Sequence, residues 1–198
     1  MNLDIRYRCI NLLFVEKELK VLLEKSATGG YHCPEASVVE LTDDHQFVGM
    51  INRMPVVEKD INYGVLTINC YILNKTKTDA REAAKEKWFA IDEAMALDED
   101  TAAMISKTLQ QLKKELHYSP IAYYLLPQLF TMQELCGLYE IILNKTLNRG
   151  NFYRKMMRVG ILTLMGKQKT GRPHKSPSLY AFNEIYCNTI ENGLFQEF

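Results

Sequence analysis

From Ile141 to Asn183 the chain contains no Asp or Glu. It has no run of 18 or more apolar residues, so no membrane-spanning helix is expected. The first residues, Met1 to Arg8, lack the layout of a secretory signal, with Asp4, Arg6 and Arg8 ahead of a short apolar stretch. No C-x-x-C pair occurs: Cys9, Cys33, Cys70, Cys136 and Cys187 are scattered singly, with no His at ligand spacing. That pattern excludes a disulfide framework or a zinc ribbon and reads as reduced thiols in a cytoplasmic protein. No phosphate loop of the P-loop or dinucleotide type is present, since Ala27-Thr28-Gly29-Gly30 fits neither pattern. His32, His45, His117 and His174 lie far apart, without the local signature of a catalytic triad.

What the acid-free window holds is positive charge. It carries nine basic residues, Lys145, Arg149, Arg154, Lys155, Arg158, Lys167, Lys169, Arg172 and Lys175. The whole chain balances 24 basic against 24 acidic side chains, so removing these nine leaves 15 basic against all 24 acidic ones. One end is strongly positive and the remainder negative. Ordinary solvated surfaces mix signs, so this asymmetry points to a domain that approaches a polyanion, joined to one that does not. With 198 residues, 47% of them hydrophobic, the chain can build one large core or two small ones.

The first half has strand character. Tyr7–Val15 and Leu19–Leu23, joined by Glu16-Lys17-Glu18, predict a hairpin, followed by a small-residue loop over Ser26–Gly30. Val65–Leu73 and Trp88-Phe89-Ala90 predict further strands, and Asp92 is placed to cap a brief helix. Asp43–Asn62 permits no assignment. From Asp100 to His117 the period changes: Ile105, Leu109, Leu112 and Leu116 form the stripe of an amphipathic helix. A short apolar helix, Ile121–Leu126, follows, and the domain boundary is expected at 117/118.

Beyond it, Thr131-Met132-Gln133-Glu134 fits a capping box, and Leu135, Leu138, Tyr139 and Ile142 make the buried stripe of the helix it opens. Asn148 is the expected N-cap of a helix closing at Gly160. Ile161–Leu164 and Leu179–Phe182 predict two strands around a basic loop, Gly166–Pro177. Helix, helix, turn, helix and a basic-tipped hairpin is the order of a winged helix-turn-helix.

At about 100° per residue from Phe152, Met156 and Val159 stay within about 40°, so these three define the core face. Arg154, Arg158 and Asn151 fall about 200°, 240° and 260° round, on the outward face. Arg can pair bidentately with guanine and Asn with adenine in the major groove. Arg149 and Lys155 are better placed for phosphates. In the loop, Lys167, Lys169, Arg172, His174 and Lys175 surround a Gly-Arg-Pro core suited to phosphates or a narrow minor groove. Phe152 and Tyr153 are the only stacking candidates on this helix, and Phe152 faces the core, which disfavours an RNA-binding platform.

The run Leu116–Phe182 resembles the C-terminal domain of the Nudix-related transcriptional regulators. The resemblance rests on Tyr118-Ser119-Pro120-Ile121-Ala122, Leu125-Leu126-Pro127, Phe130-Thr131, Glu134-Leu135 and Tyr139-Glu140. It continues through Asn148-Arg149, Asn151-Phe152, Arg154-Lys155, Gly160, Gly171-Arg172-Pro173 and Leu179-Tyr180. The opening hairpin, the Val65–Leu73 strand and Trp88-Phe89 with Asp92-Glu93 are similar in order to that family's Nudix-type sensor. The resemblance implies an α+β chain: a Nudix-like mixed sheet with helices over 1–117 and a DNA-binding winged helix over 118–198. It also implies a homodimer on a palindromic double-stranded operator, and a sugar or nucleotide derivative as effector.

Hydrolysis by a Nudix box needs clustered carboxylates to hold Mg²⁺. Arg81-Glu82 and Glu86 are superficially similar to the end of such a box, but Leu73 stands where its upstream Glu should be and Lys85 interrupts it. No metal, cofactor or catalytic residue is therefore expected. The alternative to a regulator is a Nudix-type nucleoside diphosphate pyrophosphohydrolase.

Overall fold

A computed structural model of the chain describes residues 2–36, 47–53, 57–60, 63–74, 85–116, 120–168 and 176–183. The chain divides into two compact units, Met1–Gln111 and Leu112–Phe198.

The first unit is built on a mixed sheet. Its centre is β1 (Asn2–Val15), with β2 (Glu18–Lys25) antiparallel on one side and β7 (Tyr63–Asn74) parallel on the other. Cys9, Ile10, Leu12, Leu13 and Phe14 are all buried. A strand with buried side chains on both faces belongs at the middle of a sheet, which explains its near-continuous apolar run. The β1–β2 turn places Glu16 and Lys17 at φ 54° and 66°. Two successive left-handed residues are the geometry of a type I′ turn, whose twist matches that of the flanking strands. Short strands β3 (Tyr31–His32) and β4 (Glu35–Ala36) pair with the open ends of β2 and β1. The segment that resisted assignment contributes strands: β5 (Phe47–Arg53) and β6 (Val57–Asp60) both run antiparallel to β7, each with a register shift.

Strand β8 (Glu86–Ala90) pairs antiparallel with β2 and leads into α1 (Ile91–Met95). Asp92 does not cap this helix. Ala90 occupies the N-cap position, and the Glu93 carboxylate accepts its N–H at 3.3 Å. Asp92 instead sits in the first turn, where a negative charge suits the helix dipole. Asp98 caps α2 (Glu99–Glu115): its Oδ1 accepts from the N–H groups of Asp100 and Thr101 at 2.9 and 3.0 Å. Ile105, Leu112 and Leu116 are buried as their spacing required, together with Met104, Thr101 and Thr108, while Leu109 is half-buried. Arg8 on β1 pairs with Asp100 on α2. No described helix is long and apolar enough to cross a membrane.

Cys9, Cys33 and Cys136 are buried free thiols. Burial pushes the Cys33 thiol up from 9.0 to about 11, against the opposing hydrogen bond to Thr101. The folded value lies above the unfolded one, so this stability is complete below about pH 9 and is lost as pH rises through 11. Two units correspond to about 2–3 kcal/mol. Urea unfolding of the wild type should lose about that much more stability between pH 8 and 11 than Cys33→Ala; parallel pH profiles would refute the assignment.

The second unit is helical with a small sheet. The short helix expected after Pro120 is a single 3₁₀ turn, Ile121–Tyr124. It is followed by β9 (Phe130–Thr131), α3 (Met132–Leu143), α4 (Arg149–Val159), β10 (Leu162–Lys167) and β11 (Ser178–Phe182). Strand β9 extends the expected hairpin to three strands in the order β10-β11-β9. Phe182 packs against Phe130 and Tyr123, with ring centroids 4.8 and 5.9 Å away.

Candidate nucleic-acid interface

Helix α3 starts at the capping box. Thr131 Oγ1 accepts from the Glu134 N–H at 3.2 Å, and Glu134 Oε2 accepts from the Thr131 N–H at 2.7 Å. Its whole expected stripe, Leu135, Leu138, Tyr139 and Ile142, is buried. Asn144 ends it in the left-handed region, at φ 50° and ψ 47°.

Glu140, the last acid before the positive segment, folds the turn to α4: its Oε1 accepts from the Leu147 N–H at 2.8 Å. This carboxylate organises backbone at the threshold of the basic surface. Asn148 then caps α4, with Oδ1 accepting from the Asn151 N–H at 3.0 Å. Gly160 ends the helix at φ 77°, a conformation that a β-carbon would disfavour.

Phe152 and Met156 are buried, Val159 is half-buried, and the Phe152 ring meets Tyr139 edge-on at 5.2 Å between centroids. Anchored through that face, α4 turns Arg149, Asn151, Arg154 and Arg158 to solvent, with Lys155 half-buried on one flank. Arg154 donates to Asn151 Oδ1. Two side chains from the outward face are thus joined one turn apart, a relation that the angular positions alone do not reveal.

The hairpin that follows is tied down at its base, where Asn183 donates to the Ile161 carbonyl at 2.8 Å. Its strands shift register between Leu164 and Gly166, and Gly166 takes φ 145°. Strand β10 continues to Lys167, which is exposed, and Gln168 donates to the Pro177 carbonyl at 2.8 Å. Lys169, Arg172, His174 and Lys175 lie outside the described residues, as do Arg81 and Glu82 in the first unit. Among the described residues no group of three or more His, Cys, Asp or Glu side chains could hold a metal ion.

A helix-turn-helix followed by the β10–β11 hairpin, with β9 completing its sheet, defines the second unit as a winged helix, and the first unit's mixed sheet is Nudix-like. Residues 122–182 match the NrtR DNA-binding winged helix domain family. The "ADPR responsive transcriptional repressor NtrR" of Acinetobacter baylyi is 31% identical over 136 residues, 66% of this chain and 54% of that protein. The chain thus spans about half the length of that curated relative. Shewanella oneidensis NrtR, solved with a 27mer DNA, superposes with a TM-score of 0.73 at 16% identity, over 93% of this chain and 95% of that one. A MutT/nudix family protein from Enterococcus faecalis gives 0.60 at 14% identity, over 92% and 89%. The chain therefore has the two-part fold of the Nudix-related transcriptional regulators. Its second half is a winged helix of the NrtR type.

Proposed function

We propose that the chain is a sequence-specific DNA-binding transcriptional regulator, cytoplasmic and homodimeric, whose Nudix-like unit is a sensor and not an enzyme. The observation that carries this reading is α4 itself. It buries Phe152 and Met156 and presents Arg154, Arg158 and Asn151 outward, within a segment free of acids. In this reading 118–198 is the DNA-binding domain and 1–117 the sensor. Arg154 and Asn151 face bases, with Arg158 beside them, while Arg149 and Lys155 contact phosphates. Lys167, Lys169, Arg172, His174 and Lys175 bring the wing to the backbone or the minor groove.

ADP-ribose is the proposed effector, because the curated relative is named for its response to ADPR. An effector changes DNA affinity only by its own differential affinity for the two states, commonly 5–150-fold, about 1–3 kcal/mol.

Selection from a random duplex library at near-physiological salt tests the reading. Recovery of an inverted repeat with half-sites about 34–36 Å apart, or a multiple, is the expected result. Added ADP-ribose should then weaken binding 5-fold or more, without Mg²⁺-dependent release of AMP. Sequence-blind binding would overturn the operator assignment. AMP release would instead restore the pyrophosphohydrolase.

A further inference from the structure

Three exposed residues of α4 share one line along the helix. Gly150, Arg154 and Met157 follow one another at steps of four and three. They fall about 160°, 200° and 140° round from Phe152, opposite the buried face. This line is the part of α4 farthest from the core of the second unit. A helix lying in the major groove brings such a line closest to the base edges.

Packing within the unit explains neither end of the line. Gly150 has no left-handed φ to sustain, and a β-carbon there would meet just Asn148 Oδ1, at 3.5 Å, an ordinary contact. Glycine nevertheless weakens a helix relative to alanine. Its bare backbone serves no contact of the unit, and it clears room for a partner. Met157 is 38% exposed, an aliphatic side chain on a face that otherwise offers Arg154, Arg158 and Asn151. The Arg154 guanidinium is held to Asn151 Oδ1, on the far side of the line from Met157, and so does not cover it. Three residues advance a helix about 4.5 Å, close to the spacing of about 3.4 Å between base pairs. Met157 therefore meets the base pair next to the one that Arg154 reads. The apolar group displayed in the major groove is the 5-methyl of thymine.

We propose that Met157 packs on the 5-methyl group of a thymine beside the base pair that Arg154 reads, and that Gly150 lets α4 enter the groove deeply enough for that contact. The proposal rests on the DNA-binding reading above and adds to it a second specified base in each half-site. An apolar contact releases no counterion, so it contributes affinity and specificity without adding to the salt slope.

The test is fluorescence anisotropy with the full chain, on the selected duplex and on copies in which each thymine of one half-site is replaced singly by uracil. Uracil keeps the base pair and removes the methyl alone. At one position the wild type should lose about fourfold, the return of one methyl group to water. Met157→Ala should lose nothing from the same replacement, the mark of a direct coupling. Met157→Leu, still apolar, should retain the dependence. Gly150→Ala should melt about 3 °C higher than the wild type, yet bind the selected duplex about fivefold more weakly. Equal uracil effects in the wild type and Met157→Ala, or none at any thymine, overturn the methyl contact. So do half-sites with no thymine beside the position whose preference Arg154→Ala relaxes. Unchanged affinity in Gly150→Ala would show that α4 does not approach along this line. Sequence-blind binding by the wild type would instead reject the operator reading itself, and this inference with it.

Discussion

Phe152→Ala is expected to cost the C-terminal unit about 3–5 kcal/mol, the range for truncating a buried aromatic. Phe152 is 5% exposed and meets Tyr139 at 5.2 Å, so the loss combines buried area, an edge-on ring contact and a cavity between α3 and α4. The ordinary margin of a small domain is about 5–15 kcal/mol, so the loss removes a large share of it and the melting temperature of this unit should fall steeply. Helix α4 has little else to hold it, since Phe152 and Met156 are its only buried residues. DNA binding should fall with the folded fraction. Hydrogen exchange on peptides from α3 and α4 should quicken, while the fluorescence of Trp88, the single tryptophan, should report an unaltered first unit. Phe152→Leu, which retains most of the volume, should cost clearly less. Melting of Phe152→Ala within a degree of the wild type would show that this face does not anchor the helix.

The local signals of the second unit were legible because each is chemistry within a few residues. Thr131 with Glu134 and Asn148 with Asn151 satisfy neighbouring backbone N–H groups, and Gly160 supplies a left-handed end. Apolar spacing then selected the buried faces of α2, α3 and α4. Less legible was whatever depends on partners distant in sequence. Phe130-Thr131 is too short for alternation to reveal, and becomes a strand only because β11 pairs with it. Strands β5 and β6 likewise take their form from β7, and their register shifts interrupt any regular pattern. Asp92 was misplaced for a different reason: an acid near a helix start can cap it or face its dipole, and here Glu93 reaches back to the N-cap instead.

Arg154→Ala should produce the largest specific loss of DNA affinity, about 1–3 kcal/mol, with preference relaxed at one position of each half-site. Arg154 is exposed on the outward face, and its bond to Asn151 Oδ1 holds the guanidinium before DNA arrives. A restrained guanidinium loses less freedom on binding, so the pair is preorganised. The same bond changes what Asn151 can read. Bidentate pairing with adenine requires the amide oxygen as an acceptor for N6, and the bond from Arg154 takes one of its two lone pairs and draws it toward the guanidinium. Together the two side chains present donors, which match the two acceptors of guanine, O6 and N7. The expected base at that position is therefore guanine, and Asn151→Ala should weaken binding less than Arg154→Ala while preserving the guanine preference. Lys169→Ala should instead weaken all duplexes alike and lower the salt slope by about one ion. Equal, sequence-independent losses from Arg154→Ala and Lys169→Ala would show that Arg154 holds phosphate. Adenine selected at the Arg154 position, with the preference lost in Asn151→Ala, would show that the pair separates on DNA and that Asn151 is the reader.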